Sequence, residues 1–149
     1  MMSLETLLEE SASLHGHTCP GQVLGVKMAM LGCKRLGIAE PKSSKDLLVY
    51  VEIDRCATDA IQAVTGCKLG RRTLKYVDLG KVAATFLDLR SGKAVRVVAR
   101  DDSRESVRRY APPGADKKEA QLHAYRVMAD ADLFTVTSVH VEVPEQDLP

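Results

Sequence analysis

A strand that leads directly into a helix is predicted by the segment Leu47-Leu-Val-Tyr-Val-Glu-Ile-Asp-Arg-Cys-Ala-Thr-Asp-Ala-Ile-Gln-Ala-Val-Thr-Gly66. The apolar run over residues 47–53 is typical of a central strand. Asp54 is expected to cap a helix over residues 55–65, and Gly66 is expected to end it. Ligands of open sheets gather where strands end and helices begin, so this junction is where we expect a site.

Two helices are predicted ahead of that strand. The first covers residues 3–14, with Ser3 as its N-cap. The second begins at Pro20, a residue favoured in the first turn of a helix, and runs to about residue 36, where Gly37 is expected to end it. Small residues repeat every four positions along one side of the second helix, at Gly21, Gly25 and Ala29. We expect that side to let another backbone approach closely, either inside the domain or across a dimer.

The rest of the sequence alternates between strand and helix patterns. Strands are predicted over residues 82–89, 94–100 and 133–143, and helices over residues 101–110 and 115–131. The first two of these strands are joined by Arg90-Ser-Gly-Lys93, a hairpin signal. The inner face of the last helix is expected to carry Ala120, His123, Ala124 and Val127. Helices and strands that mix in this way predict an α+β fold with a mixed sheet.

Composition narrows the class of protein. The chain has 149 residues, 45% of them hydrophobic, which predicts one domain over residues 1–149 with a proper core. A formal net charge of +1 and only six Tyr and Phe residues with no Trp argue against a nucleic-acid-binding protein. No apolar run reaches the roughly 18 residues of a membrane span. We therefore expect neither nucleic acid nor membrane as a partner.

The four cysteines need an explanation. The N-terminal residues lack the basic region of a secretory signal, so a cytoplasmic location is predicted. Disulfides are rare in that compartment. Cys33 lies among apolar neighbours on the second helix and is expected in the core. No Cys-x-x-Cys pair occurs, which argues against a zinc ribbon and against a dithiol redox motif.

The segment His15-Gly-His-Thr-Cys-Pro-Gly21 carries the densest chemistry. In an extended segment the side chains of His15, His17 and Cys19 point to the same side. Imidazole and thiolate are ligands that zinc and other late transition metals prefer. Cys19 also stands where a helix begins, and the partial positive charge there favours its thiolate, which suits either a metal ligand or a nucleophile.

A second group of candidates follows the strand at residues 47–53. Cys56 is expected to face Cys19 across a cleft and to join His17 and Cys19 as a metal ligand. Cys67 is a further candidate ligand, because the break at Gly66 lets the chain fold back. Asp59 lies one helical turn after Cys56, where it either orients a ligand histidine or only favours the helix dipole.

Two of these motifs together resemble the FmdE family, which takes its name from formylmethanofuran dehydrogenase. They are His15-Gly-His-Thr-Cys-Pro-Gly21 and Cys56-Ala-Thr-Asp-Ala-Ile-Gln-Ala-Val-Thr-Gly-Cys-Lys-Leu-Gly70. Residues 74–86 look like the next block of the same family, which is related to methanogenesis. The resemblance is clear over roughly residues 10–90. Many members carry a C-terminal zinc finger, and since no cysteine follows Cys67 we expect that finger to be missing here.

The resemblance implies an α+β core with about five strands in a mixed sheet, flanked by helices and thioredoxin-like in appearance. It also implies a metal-centred active site with His17, Cys19 and Cys56 as its residues and with His15 and Cys67 close by. On this interpretation Cys19, Cys56 and His15 are the catalytic candidates. The reaction and the substrate are not implied, so the chain is not assigned as an enzyme from its sequence.

Three functional hypotheses remain open at this point. The first is a metal-centred active site, with zinc as the expected ion and nickel or iron as alternatives. The second is a metal-delivery protein or an accessory component of an oxidoreductase complex. The third is a metal-free thiol nucleophile, Cys19, with His15 or His17 as its base. A homo-oligomer, with a dimer favoured, is predicted from the small-residue stripe and from the apolar residues on both faces of the last strand.

Overall fold

The computed structural model describes residues 1–149. Its helices are α1 (Leu4–His15), α2 (Pro20–Leu36), α3 (Cys56–Thr65), α4 (Ser103–Tyr110), α5 (Lys117–Val127) and α6 (Asp130–Leu133). Its strands are β1 (Leu47–Val51), β2 (Leu74–Tyr76), β3 (Ala83–Asp88), β4 (Ala94–Ala99) and β5 (Phe134–Val139). None of the helices combines the length and the hydropathy that a membrane span requires.

The strands form one five-stranded sheet in the order β2-β1-β3-β4-β5. Strand β1 pairs with β2 in parallel, and all other neighbouring pairs are antiparallel. This confirms the α+β class and the mixed sheet. The predicted hairpin is the β3–β4 pair, and β5 lies at one edge. Strand β2 at the other edge was not predicted, because its three residues are too few to show a pattern.

The main core lies between the sheet and the helices. Val23, Val26 and Met28 of α2 and Phe86 of β3 are completely buried in it. Gly32 makes the approach of α2 to the sheet possible, because a Cβ there would lie 2.4 Å from the ring of Phe86. The predicted largely buried helix is therefore confirmed, and its buried length fixes where its N-terminus lies.

The opposite face of the sheet carries a second, smaller apolar cluster. Leu48, Leu87 and Ala94 are buried there, and Val141 and Val143 of the C-terminal segment pack against them. The side chain of Arg72 donates a hydrogen bond of 2.7 Å to the backbone carbonyl of Gln146. The residues that follow β5 thus cover part of this face and end near the β2 edge.

The helix predicted over residues 115–131 is two helices, α5 and α6. Its predicted inner face is wrong at two positions, since His123 is exposed and Val127 is 54% exposed. The buried residues are instead Ala124, Tyr125 and Met128. The cause is Lys27 of α2, whose buried ammonium group donates to the carbonyls of Tyr125 and Met128 at 2.7 and 2.8 Å. These two bonds satisfy carbonyl groups at the end of α5 and turn that end toward α2.

Two smaller expectations about the junction after β1 are corrected. The predicted strand over residues 47–53 ends at Val51, and α3 begins at Cys56. Arg55 is the N-cap of α3, and no side chain accepts a hydrogen bond there, so Asp54 does not cap the helix. The predicted end of α3 is confirmed, because Gly66 adopts a left-handed conformation with φ 71°.

Candidate metal centre

The turn between α1 and α2 holds the His15–Cys19 segment in place. Gly16 ends α1 in a left-handed conformation, with φ 101°. Cys19 is extended, with φ −142° and ψ 162°, as the sequence predicted. Its backbone N–H donates to the side-chain oxygen of Gln22 at 2.8 Å, and the amide of Gln22 donates to Ser11 of α1 at 3.1 Å. The buried Gln22 side chain therefore fixes the start of α2 against α1.

Gln22 was missed as a structural residue of the site. Its signal was present in the sequence, because a Gln three residues after an N-cap residue is the second half of a capping box. The role of this side chain is to hold the backbone of Cys19 rather than to bind a ligand. Gln22 is 1% exposed, so it does not reach the surface of the site.

A close crossing of α2 and α3 brings the second motif to the first. A Cβ at Gly25 would lie 2.4 Å from the carbonyl oxygen of Ala57, and a Cβ at Gly21 would lie 3.2 Å from Cβ of Cys56. The small-residue stripe therefore serves packing inside the domain, which was one of its two predicted uses. Because α3 occupies the stripe, the start of α3 lies beside the start of α2.

His15, His17 and Cys19 form a cluster at this place. One potential ligand atom of each residue lies within 4.8 Å of those of the other two. The two imidazole rings have centroids 4.6 Å apart and are tilted by 39°. His17 is exposed, whereas His15 and Cys19 are half-buried. Zinc ligands lie roughly 3–4 Å from one another when zinc–ligand distances are about 2.0–2.3 Å, so a contraction of about 1 Å would close the cluster around an ion.

The environment of His15 is the strongest indication that the cluster fits a metal. Its Nδ1 lies 2.8 Å from a carboxylate oxygen of Asp59 in α3. Its Nε2 is buried and has no hydrogen-bond partner, which is costly for a polar atom. A histidine that ligates a metal usually has its other ring nitrogen on a carboxylate, and this is the arrangement of His15. The donor set of two imidazoles and a thiol matches zinc.

Cys56 is the first residue of α3 and lies next to the cluster, but its sulfur is not one of the three clustered ligand atoms. Its thiol is half-buried. Burial raises the pKa of Cys56, and the neighbouring Cys19 thiol raises this pKa further. The predicted meeting of Cys19 and Cys56 is therefore what the structure brings about.

Cys67 lies elsewhere. It is 3% exposed, in the main core, and its Sγ lies 3.6 Å from the carbonyl oxygen of Leu47. Cys33 is completely buried, and burial raises the pKa of its thiol to about 12. Of the predicted site residues, the structure thus brings together His15, His17, Cys19 and Cys56 and leaves Cys67 in the core with Cys33.

Comparison with known proteins places this geometry in a family. The family described as FmdE, Molybdenum formylmethanofuran dehydrogenase operon, matches residues 14–139. The chain is 40% identical over 110 residues to a probable S-adenosyl-L-methionine-binding protein of Archaeoglobus fulgidus. That match covers 72% of this chain and 29% of the relative, so the chain spans less than a third of the relative's length.

A solved structure has the same fold. It is that of an FmdE-like protein of tungsten formylmethanofuran dehydrogenase from Syntrophus aciditrophicus, with a TM-score of 0.72 and 22% identity. The alignment covers 95% of this chain and 74% of the other. The family match starts just before His15 and ends with the last residue of β5, so it includes the clustered residues and the whole sheet. On this extent of similarity, the chain belongs to the FmdE family.

Proposed function

We propose that the chain is a single-domain metal-binding protein that holds its ion with His15, His17 and Cys19, with Cys56 beside the ion. The observation that carries the proposal is the buried Nε2 of His15, which has no hydrogen-bond partner while Nδ1 is on Asp59. The Asp59 carboxylate accepts a proton-bearing Nδ1 and so leaves the lone pair of Nε2 for a ligand.

Zinc is the ion that we propose, with nickel and iron as the alternatives that the same donors accept. Three protein ligands leave a fourth position for Cys56, for water or for a substrate. When bound, zinc supplies Lewis-acid polarisation of an oxygen atom or a bound water of lowered pKa. The chain's own part is to orient His15 through Asp59 and to keep Cys19 at the start of α2. No reaction or substrate is proposed.

A second candidate function is metal delivery, or an accessory role in an oxidoreductase complex such as a formylmethanofuran dehydrogenase. The exposure of His17 favours it, because one of the three donors lies at the surface and can exchange its ion with a partner. The rate of metal exchange separates the two candidates. A catalytic ion stays bound through dilution into chelator-free buffer, whereas a carrier passes its ion to an acceptor protein or chelator within the assay.

The cytoplasmic location and the homodimer stay predictions. The small-residue stripe no longer supports a dimer, because α3 covers it. What remains in favour of a dimer is β5, an edge strand with apolar residues on both faces.

The test is metal analysis of protein purified without added metal and then reconstituted with zinc or cobalt. We expect stoichiometric binding by the wild type and loss of that stoichiometry in His15→Ala and Cys19→Ser. His140→Ala is the matched control, since its side chain is 81% exposed and lies outside the cluster. Equal metal content in all these proteins, or none in the reconstituted wild type, would overturn the proposal. An empty wild type whose Cys19 is rapidly alkylated would favour the thiol nucleophile.

A further inference from the structure

We propose that Cys19 and Cys56 act as a redox-active dithiol, which a low-molecular-weight disulfide oxidises to an intramolecular disulfide bond. The sequence excluded the usual dithiol motif, because no two cysteines are separated by two residues. The fold supplies the pair instead from two segments that are 37 positions apart in the sequence. This inference goes beyond the proposed metal site, and only its consequence for metal binding rests on that proposal.

The geometry that carries the inference is the crossing of α2 and α3. Sγ of Cys19 and Cβ of Cys56 lie 3.9 and 3.2 Å from one point, the position that a Cβ on Gly21 would occupy. The absent side chain of Gly21 therefore leaves the two cysteines next to each other. Their backbones are held by the tight contact of Gly25 with Ala57, so the two side chains stay close in the folded protein.

Accessibility distinguishes this pair from the other two cysteines. Cys19 and Cys56 are half-buried and can be reached by a small reagent, whereas Cys33 and Cys67 are buried. The neighbouring Cys19 thiol also raises the pKa of Cys56, which is consistent with the short separation. The chain thus contains a reachable cysteine pair together with an internal control pair.

Oxidised glutathione serves as the oxidant in a balanced exchange. One cysteine thiolate attacks a sulfur of the glutathione disulfide, and the first glutathione leaves as a thiolate that takes a proton. The other cysteine then attacks the mixed disulfide and releases the second glutathione. The two protein thiols lose two hydrogen atoms and two electrons in total, and glutathione disulfide is reduced to two thiols.

Oxidation has a consequence for the proposed metal site. A Cys19 sulfur that is bonded to Cys56 is no longer available as a thiolate ligand, and only His15 and His17 remain. Oxidised protein is therefore expected to lose stoichiometric zinc binding. Conversely, an ion on the Cys19 thiolate is expected to protect that sulfur from attack, because the thiolate is the nucleophile in the exchange.

The experiment equilibrates metal-free protein in glutathione buffers of increasing oxidised fraction, followed by alkylation and peptide mass spectrometry. We expect a peptide pair linked through Cys19 and Cys56, with Cys33 and Cys67 alkylated only after denaturation. In Cys56→Ser and in Cys19→Ser, the remaining cysteine is expected to carry glutathione instead, and circular dichroism checks that both variants are folded. Absence of the linked pair in fully oxidised glutathione, or linkage to Cys33 or Cys67, would overturn the inference.

A second arm repeats the oxidation after zinc has been added. Loss of the linked pair in zinc is expected, and recovery of the pair after chelation. Undiminished linkage by a protein that binds zinc stoichiometrically would overturn the coupling to the metal site. A protein that forms the linked pair but never binds zinc would refute the proposed function and leave the dithiol standing, so the two failures are distinguishable.

Discussion

Asp59 of α3 and His15 of α1 lie 44 positions apart in the sequence, and their side chains meet at 2.8 Å. His15 is largely shielded, with 16% of its side chain exposed, whereas Asp59 is 46% exposed. The contact fixes the ring orientation of His15 and turns its second nitrogen toward His17 and Cys19. It joins the two cysteine motifs of the sequence into one site.

Removal of this carboxylate is expected to weaken metal binding without unfolding the protein. In Asp59→Ala, His15 loses the group that orients its ring, and outer contacts of this kind are worth about 10–100-fold in metal affinity. Competition with a chromophoric zinc chelator measures the change. Glu142→Ala, at a carboxylate that is 89% exposed, is the control and should bind as the wild type does. Equal affinity in Asp59→Ala would show that the contact has no part in metal binding.

The helix crossing is expected to tolerate no side chain at Gly25. In Gly25→Ala the new methyl group would lie 2.4 Å from the carbonyl oxygen of Ala57, so α3 must move. Overpacking of this kind costs about 1–3 kcal/mol, measured as the loss of unfolding free energy in urea. The same displacement should lower zinc affinity, because it carries Asp59 and Cys56 away from the cluster.

Gly70→Ala is the matched control for that substitution, because nothing lies within 4 Å of a Cβ at Gly70. Its unfolding free energy should stay close to that of the wild type. If Gly25→Ala were as stable as Gly70→Ala, the close approach of α2 and α3 would be refuted.

Much of the fold could be predicted where local signals set the element bounds. Pro20 at the start of α2 and Gly37 at its end, with φ 72°, act through their own backbone preferences, and both predictions are confirmed. The break between α5 and α6 was missed because its cause is Lys27, 98 positions before Tyr125. A contact between residues so far apart leaves no periodicity in either segment.

The Lys27 contact is expected to stabilise the end of α5. In Lys27→Met the carbonyls of Tyr125 and Met128 lose their donor, and buried acceptors left in this way cost about 1–3 kcal/mol. Urea unfolding measures the loss. Lys118→Met, at an exposed position of the same helix, should leave the unfolding free energy unchanged. Equal stability of the two variants would mean that Lys27 does not hold α5.

The site could be predicted in part for the same reason. The alternation of His15, His17 and Cys19 is a local property of an extended segment, and these three residues do converge. The pairing of His15 with Asp59 and the burial of Cys67 depend on how α3 packs, which no single segment contains. Asp59 had two open interpretations in the sequence, and only the folded chain distinguishes them.

Stability is expected to fall at alkaline pH because of Cys33. Burial raises the pKa of this thiol from 9.0 to about 12, so the unfolded chain releases the proton at a lower pH than the folded one. The stabilising contribution is therefore present below about pH 9 and is lost as the pH rises toward 12. Urea midpoints measured across this range for the wild type and for Cys33→Ala isolate the effect. The wild type should lose more stability than the variant, and parallel curves would contradict the prediction.

X-ray absorption at the metal edge of zinc-loaded protein tests the central claim most directly. The proposed site predicts a shell of imidazole nitrogen at about 2.0–2.1 Å together with sulfur at about 2.3 Å. The sulfur signal should weaken in Cys19→Ser, and the imidazole signal should weaken in His15→Ala. A shell of oxygen alone, or one unchanged by both substitutions, would contradict a metal centre built from His15, His17 and Cys19.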